Sequence, residues 1–122
     1  MNDKNTTLQD LKRLLSKFRD DRDWGKFHDP KNLAQAISIE AAELQELFLW
    51  QDAKEVVKKI KSDTVYRKEV EEEFADIIIF AINFANAVEI NVAKVVKEKI
   101  DKNNKKYPVE KAKGRADKYT SY

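Results

Sequence analysis

The sequence predicts an all-α fold, a small bundle of about four to five helices. Three observations carry that expectation. Only 2 Gly and 2 Pro occur in 122 residues, so the turn chemistry that bounds short strands is missing. Apolar residues recur at three- and four-residue spacing, with no strand-like alternation. Residues 74–90 are apolar almost all round, more than one face of so short a chain buries, which predicts a helix interface between subunits.

Taken in order, the first helix starts behind a Thr6-Thr7 cap and carries Leu8, Leu11, Leu14, Leu15 and Phe18 on one face. It fades into the charged run RDDRD. WGKFHDPKN, residues 24–32, holds Gly25 and Pro30 and is expected as a loop. A second helix runs from Lys31 or Asn32 to Trp50. A short third covers residues 53–60, with Val56, Val57 and Ile60 as its face. KSDT supplies a break with Asp63 or Thr64 as a cap, and the fourth helix extends from there to about Glu89. Asn91 opens a fifth, to about Asn104, with Val92, Val95, Val96 and Ile100 on its apolar face. From about residue 109 the polar, basic tail VEKAKGRADKYTSY is expected to be extended or mobile. No internal repeat interrupts the chain, and residues 1–122 read as one domain.

Charge and composition exclude several classes. The 24 Lys+Arg nearly balance 22 Asp+Glu, and a net charge of +2 announces neither a nucleic-acid nor a membrane partner. The basic tail lacks aromatic interleaving, so no stable nucleic-acid partner is expected. There is no cysteine, which removes disulfides and thiolate metal sites and is compatible with a reducing cytosol. The start MNDKNTTLQDLKRLL has no apolar core of a signal peptide. The apolar run 74–90 contains Asp76, Asn83, Asn86 and Glu89 and is shorter than the roughly 20 residues a bilayer span needs. A cytoplasmic location is therefore expected.

The acids carry the functional signal. On a wheel of about 100° per residue, Leu33, Ile37, Leu44, Leu47 and Phe48 share one arc with Glu40 in its middle and Glu43 at its edge. In the fourth helix Tyr66, Val70, Ile77, Phe80, Phe84 and Val88 form an arc with Glu73 inside it and Asp76 at its edge. An isolated carboxylate in an apolar interface costs several kcal/mol, and four converging ones repel. A hard divalent cation resolves both problems, because Mg²⁺ or Mn²⁺ prefers oxygen ligands. One His and no Cys argue against zinc, and the absence of Glu-x-x-His pairs argues against a ferritin-like di-iron site. The competing reading is ordinary surface patterning, since Glu-x-x-Glu is common on solvated helix faces.

Glu40-Ala-Ala-Glu43, followed after residues 44–72 by Glu73-Phe-Ala-Asp76, resembles the Glu-x-x-Glu … Glu-x-x-Asp signature of MazG-like nucleotide pyrophosphohydrolases. RDWGKFHDPKNLAQAISIEAAELQELFLW resembles the corresponding segment of small single-domain members, including the dCTP pyrophosphatase branch. DKNNKKYP and the tail after it resemble the family's C-terminal segments, so the likeness covers the chain from about Phe18 onward. The resemblance implies an all-α subunit that forms a homodimer, and in some members a homotetramer as a dimer of dimers, with helices of two chains building each active site. It implies Mg²⁺-dependent hydrolysis of (deoxy)nucleoside triphosphates, dCTP-like or modified ones among them, to monophosphate and pyrophosphate.

Carried over by position, Glu40, Glu43, Glu73 and Asp76 become the metal ligands and catalytic acids. Lys102, Lys105 and Lys106 become candidate phosphate contacts and Asn103 a polar contact, although cations are also favoured at a solvated helix end. Trp24 and Trp50, the only tryptophans, resemble nucleotide-contacting positions, with Lys26, His28 and Phe80 as further candidates. The alternative for Trp50 is a large core residue at a helix end. Phe80 and Leu15 stand where the dCTP branch tends to have Tyr and His, which leaves the base open. The principal alternative is a non-catalytic helical dimerisation module whose acids are buried in ion pairs with Lys or Arg.

Overall fold

Every helix from the first to the fifth begins on a side chain that accepts the otherwise unpaired amide hydrogens of its first turn. In the computed structural model, which describes Met1–Tyr122, Thr7 caps α1 (Leu8–Asp21) in a reciprocal box: Asp10 N donates to Thr7 Oγ1 at 3.0 Å and Thr7 N to Asp10 Oδ2 at 2.8 Å. Asp29 caps α2 (Pro30–Glu46), Asp52 caps α3 (Ala53–Ser62) and Asp63 caps α4 (Thr64–Ala87). Asn91 caps α5 (Val92–Lys106), which is followed by a short α6 (Val109–Ala112) and a 3-10 turn at Tyr119–Ser121. There is no strand, and no helix is long and apolar enough by itself to cross a membrane.

Six helices form where about four to five were expected, and both ends of the second helix move for identifiable reasons. Helix α2 starts at Pro30, because the ring presets the helical backbone at a first-turn position whose amide hydrogen is dispensable. It stops at Glu46 rather than running to Trp50. Residues 47–49 tighten into three-residue hydrogen bonds, Phe48 N donating to Gln45 O at 3.0 Å, and Trp50 turns left-handed at φ 60° before Asp52 starts the next helix. The loop expected over residues 24–32 contains a 3-10 turn at Gly25–Phe27. The tail is not extended throughout: it folds through α6, and the Tyr107 ring meets Tyr119 and Tyr122 edge-on at 5.8 and 6.0 Å.

The chain separates into two compact units, Met1–Glu89 and Ile90–Tyr122. In the first, α4 is the central rod and packs against α2, α1 and α3. The buried core is small: Leu33, Tyr66, Ile82 and Ala85. Leu33, at 2% exposure, contributes about 1.5–3 kcal/mol by leaving water. Polar pins fix the helices beside this core. Tyr66 donates its hydroxyl hydrogen to the Leu47 carbonyl at 2.7 Å, and the Asn86 amide donates to Lys12 O at 3.1 Å and Ser16 Oγ at 3.2 Å, tying α4 to α1. Much of the apolar surface stays uncovered. Phe74, at 56% exposure, and Ile78 share an outward face of α4, and Ile39 of α2 is exposed as well. In the second unit Val95, Val96 and Ile100 of α5 are also exposed.

Candidate active site

Two antiparallel helices bring the four acids to one place. Glu40 and Glu43 stand one turn apart on α2, Glu73 and Asp76 one turn apart on α4. One carboxylate oxygen each from Glu40, Glu73 and Asp76 lies within 4.8 Å of the others, and all three residues are half-buried. The exposed Glu43 reaches in as well, its carboxylate set against those of Glu40 and Glu73.

Such a cluster is electrostatically unfavourable by itself. Burial first, then the Glu43 carboxylate and the charges of Asp76 and Glu73, push the Glu40 carboxyl up to about 7. Glu73 is raised as well, by burial first, then by Glu43 and by the charges of Asp76 and Glu72. The buried Oε2 atoms of Glu40 and Glu73 have no hydrogen-bond partner. The chain's ion pairs are i,i+3 or i,i+4 pairs and near neighbours on the surface, and none includes Glu40, Glu43, Glu73 or Asp76. A module that buries its acids against Lys or Arg is therefore not what this chain builds. Oxygen-only donors, two of them orphaned and buried, fit a hard divalent cation.

Asp76 also forms one wall of a cavity of about 420 Å³. The remaining walls come from Leu14, Leu15, Phe18 and Arg19 of α1, Trp24 and His28 of the loop, and Ile79, Phe80 and Asn83 of α4. Trp24 is held edge-on against Phe18 at 5.8 Å between centroids, with the His28 ring 6.5 Å from it. His28 is held below the usual imidazole range by burial and then by the Arg19 charge, so it stays neutral at pH 7. An acid cluster at one end and an aromatic-walled hollow leading from it is an arrangement suited to a flat organic group that carries anionic oxygens.

Not every expected residue joins it. Trp50 is 94% exposed and lies instead beside a separate surface hollow with Phe48 and Leu49, so it is no core residue and shares no cavity with Trp24. Lys26 pairs with Asp23 at 3.2 Å and sits 5.4 Å over the Phe27 ring, outside the cavity walls. Lys102, Asn103, Lys105 and Lys106 belong to the second unit, where Asn103 is half-buried and the Lys106 ammonium stands 5.1 Å over the Tyr119 ring. Arg19 and Asn83 went unassigned in sequence. Asn83 could have been found as the polar residue seven positions after Asp76, in phase with it inside an apolar run.

Comparison with known proteins agrees with this geometry. A family model described as MazG-like matches residues 35–121. Bovine (Bos taurus) dCTP pyrophosphatase 1 is 38% identical over 93% of this chain and 67% of its own, and the human (Homo sapiens) protein of that name is 35% identical over 93% and 66%. This chain thus spans about two thirds of the length of these curated relatives. Among solved structures, a pyrophosphatase from Archaeoglobus fulgidus superposes with a TM-score of 0.77 at 40% identity, covering 88% of this chain and 98% of that one.

Proposed function

This chain belongs to the MazG-like family and is a nucleotide pyrophosphohydrolase, and on that premise we propose that it converts dCTP-like or modified deoxynucleoside triphosphates to monophosphates with Mg²⁺. The observation that carries the reading is the meeting of Glu40, Glu73 and Asp76, with two buried carboxylate oxygens that nothing in the chain satisfies. Glu40, Glu43, Glu73 and Asp76 would hold the cation, with Mn²⁺ as a substitute. Bound there, the cation supplies neutralisation of the triphosphate oxygens and a more acidic water.

In-line attack of water on the α-phosphorus breaks its bond to the bridging oxygen and releases pyrophosphate. The chain's part is to position and to take a proton. One acid of the four accepts the proton of the attacking water. Trp24 and Phe80 hold the base against aromatic faces, with His28 as a neutral wall of the same slot. Lys102, Lys105 and Lys106, with Asn103, are assigned to the phosphates, and Lys26 to the mouth of the nucleotide site. Trp50, outside its own chain's cavity, is assigned to the nucleotide held with a second copy. Phe74 and Ile78 supply the apolar face on which a homodimer forms, and dimers can pair further into a tetramer. A cytoplasmic site of action follows from the substrate pool.

The test is a panel of dNTPs and NTPs with product identification, with and without Mg²⁺, on protein whose mass is read by light scattering. Monophosphate plus pyrophosphate is the expected outcome. Orthophosphate plus diphosphate would place the scission elsewhere, and a monomeric active species would remove the second copy from the site.

A further inference from the structure

Within the cavity one polar group stands apart. Asn83 is 8% exposed, lines the hollow, and makes no side-chain hydrogen bond, whereas Asn86, three residues on, is bonded to Lys12 and Ser16. Leu14, Leu15, Phe18, Ile79 and Phe80 make the walls mostly apolar, and none of the hollow's other polar residues, Arg19, Trp24, His28 and Asp76, is hydrogen-bonded to Asn83. Its polar atoms are not sealed off from the hollow, so a carboxamide without a partner in the chain stays matched only while water can reach it. A flat ligand that expels this water must match the amide or bind poorly.

The register says which part of the ligand that is. Asp76, Phe80 and Asn83 follow one another at four and three residues along one face of α4. Seven residues of helix carry Asn83 about 10 Å from Asp76 along the axis. With the phosphates at the acid end and an aromatic ring at Phe80 between, Asn83 stands at the far end, where the edge of the base comes to rest.

We propose that the Asn83 carboxamide reads the hydrogen-bonding edge of the base, accepting from an exocyclic amine and donating to the adjacent ring nitrogen. A carboxamide is the side chain that offers a donor and an acceptor side by side, and cytosine and adenine present the complementary pair. Arg19, whose Nε is paired with Asp20, can only donate, and an ionised Asp76 can only accept, so neither matches both halves of this edge. The proposal rests on the nucleotide reading given above.

The experiment compares kcat/KM for dCTP and dATP with the triphosphates of 2-pyrimidinone and purine deoxynucleosides, which lack only the exocyclic amine. It uses the full chain, its Asn83→Leu variant and a smaller Asn83→Ser variant. The unaltered protein should favour the better of the two natural substrates over its amine-lacking analogue by about tenfold or more, chiefly through KM. In Asn83→Leu that ratio should fall to about one, through loss of the natural substrate alone. If Asn83 merely supports the fold, both members of a pair will weaken together and the ratio will persist in each variant that folds, which overturns the proposal. An equal kcat/KM on natural and amine-lacking substrates by the unaltered protein overturns it too. No pyrophosphate from any nucleotide would instead remove the reading on which it rests.

Discussion

Tyr66 and Leu47, nineteen positions apart, are joined by a 2.7 Å hydrogen bond that sets the register of the acid site. Leu47 lies seven residues after Glu40 on one rod, and Tyr66 lies seven residues before Glu73 on the other. Equal offsets along antiparallel helices place Glu40 opposite Glu73 two turns from the pin. The bond sits where α2 unwinds, and the same carbonyl also accepts from Gln51 Nε2 at 2.8 Å.

Tyr66→Phe removes one donor and leaves the Leu47 carbonyl with its Gln51 partner. The expected loss of stability is about 1 kcal/mol, since no buried acceptor is orphaned. Urea unfolding checks that figure. Because the register loosens, the Mg²⁺ concentration for half-maximal activity should rise in the same variant. An unchanged requirement would show that helix packing alone fixes the acids.

Glu40→Gln and Glu73→Gln replace a ligand by a neutral group of equal size. Each is expected to lower turnover by at least about 100-fold while the far-ultraviolet circular dichroism stays helical. Each should also raise the melting temperature of the protein in EDTA, because a buried, repelled carboxylate disappears. Added Mg²⁺ should then stabilise the unaltered protein more than either variant. A variant that melts lower in EDTA would mean the acids hold the fold together by some contact of their own.

The same repulsion sets a pH dependence. Folded and free of metal, Glu40 keeps its proton to about pH 7, while in the unfolded chain it releases it near 4.5. Between those values the folded state binds more protons, so raising the pH favours unfolding. The Glu40 contribution is present below about pH 4.5 and is lost as pH rises through about 7; Glu73 acts in the same direction. Asp10, lowered by its hydrogen bonds to Thr7, acts oppositely but only near and below its ordinary 3.8. Melting in EDTA should therefore fall from pH 5 to pH 8, and Glu40→Gln should flatten the slope. A slope that Glu40→Gln leaves untouched would assign it to other groups.

The sequence by itself determined the elements and the chemistry. Helix periodicity, scarce Gly and Pro, and Asp and Thr before apolar runs are local signals, and the caps at Thr7 and Asp63 fell where they pointed. The phase of Glu40 and Glu73 was equally legible, because a residue's place on a helix face follows from counting. Only the tertiary structure decided what those faces meet. The end of α2 at Glu46 depends on Tyr66 and Gln51 taking the Leu47 carbonyl, one partner arriving from another helix. Trp24 enters the cavity beside Phe18 and His28, while Trp50, its apparent counterpart, turns outward on a left-handed residue. Asn83 acquires meaning from the walls around it, which α1, the loop and α4 assemble from positions far apart in the chain. Periodicity fixes a direction around one axis; a site needs distances between several, and packing alone sets those.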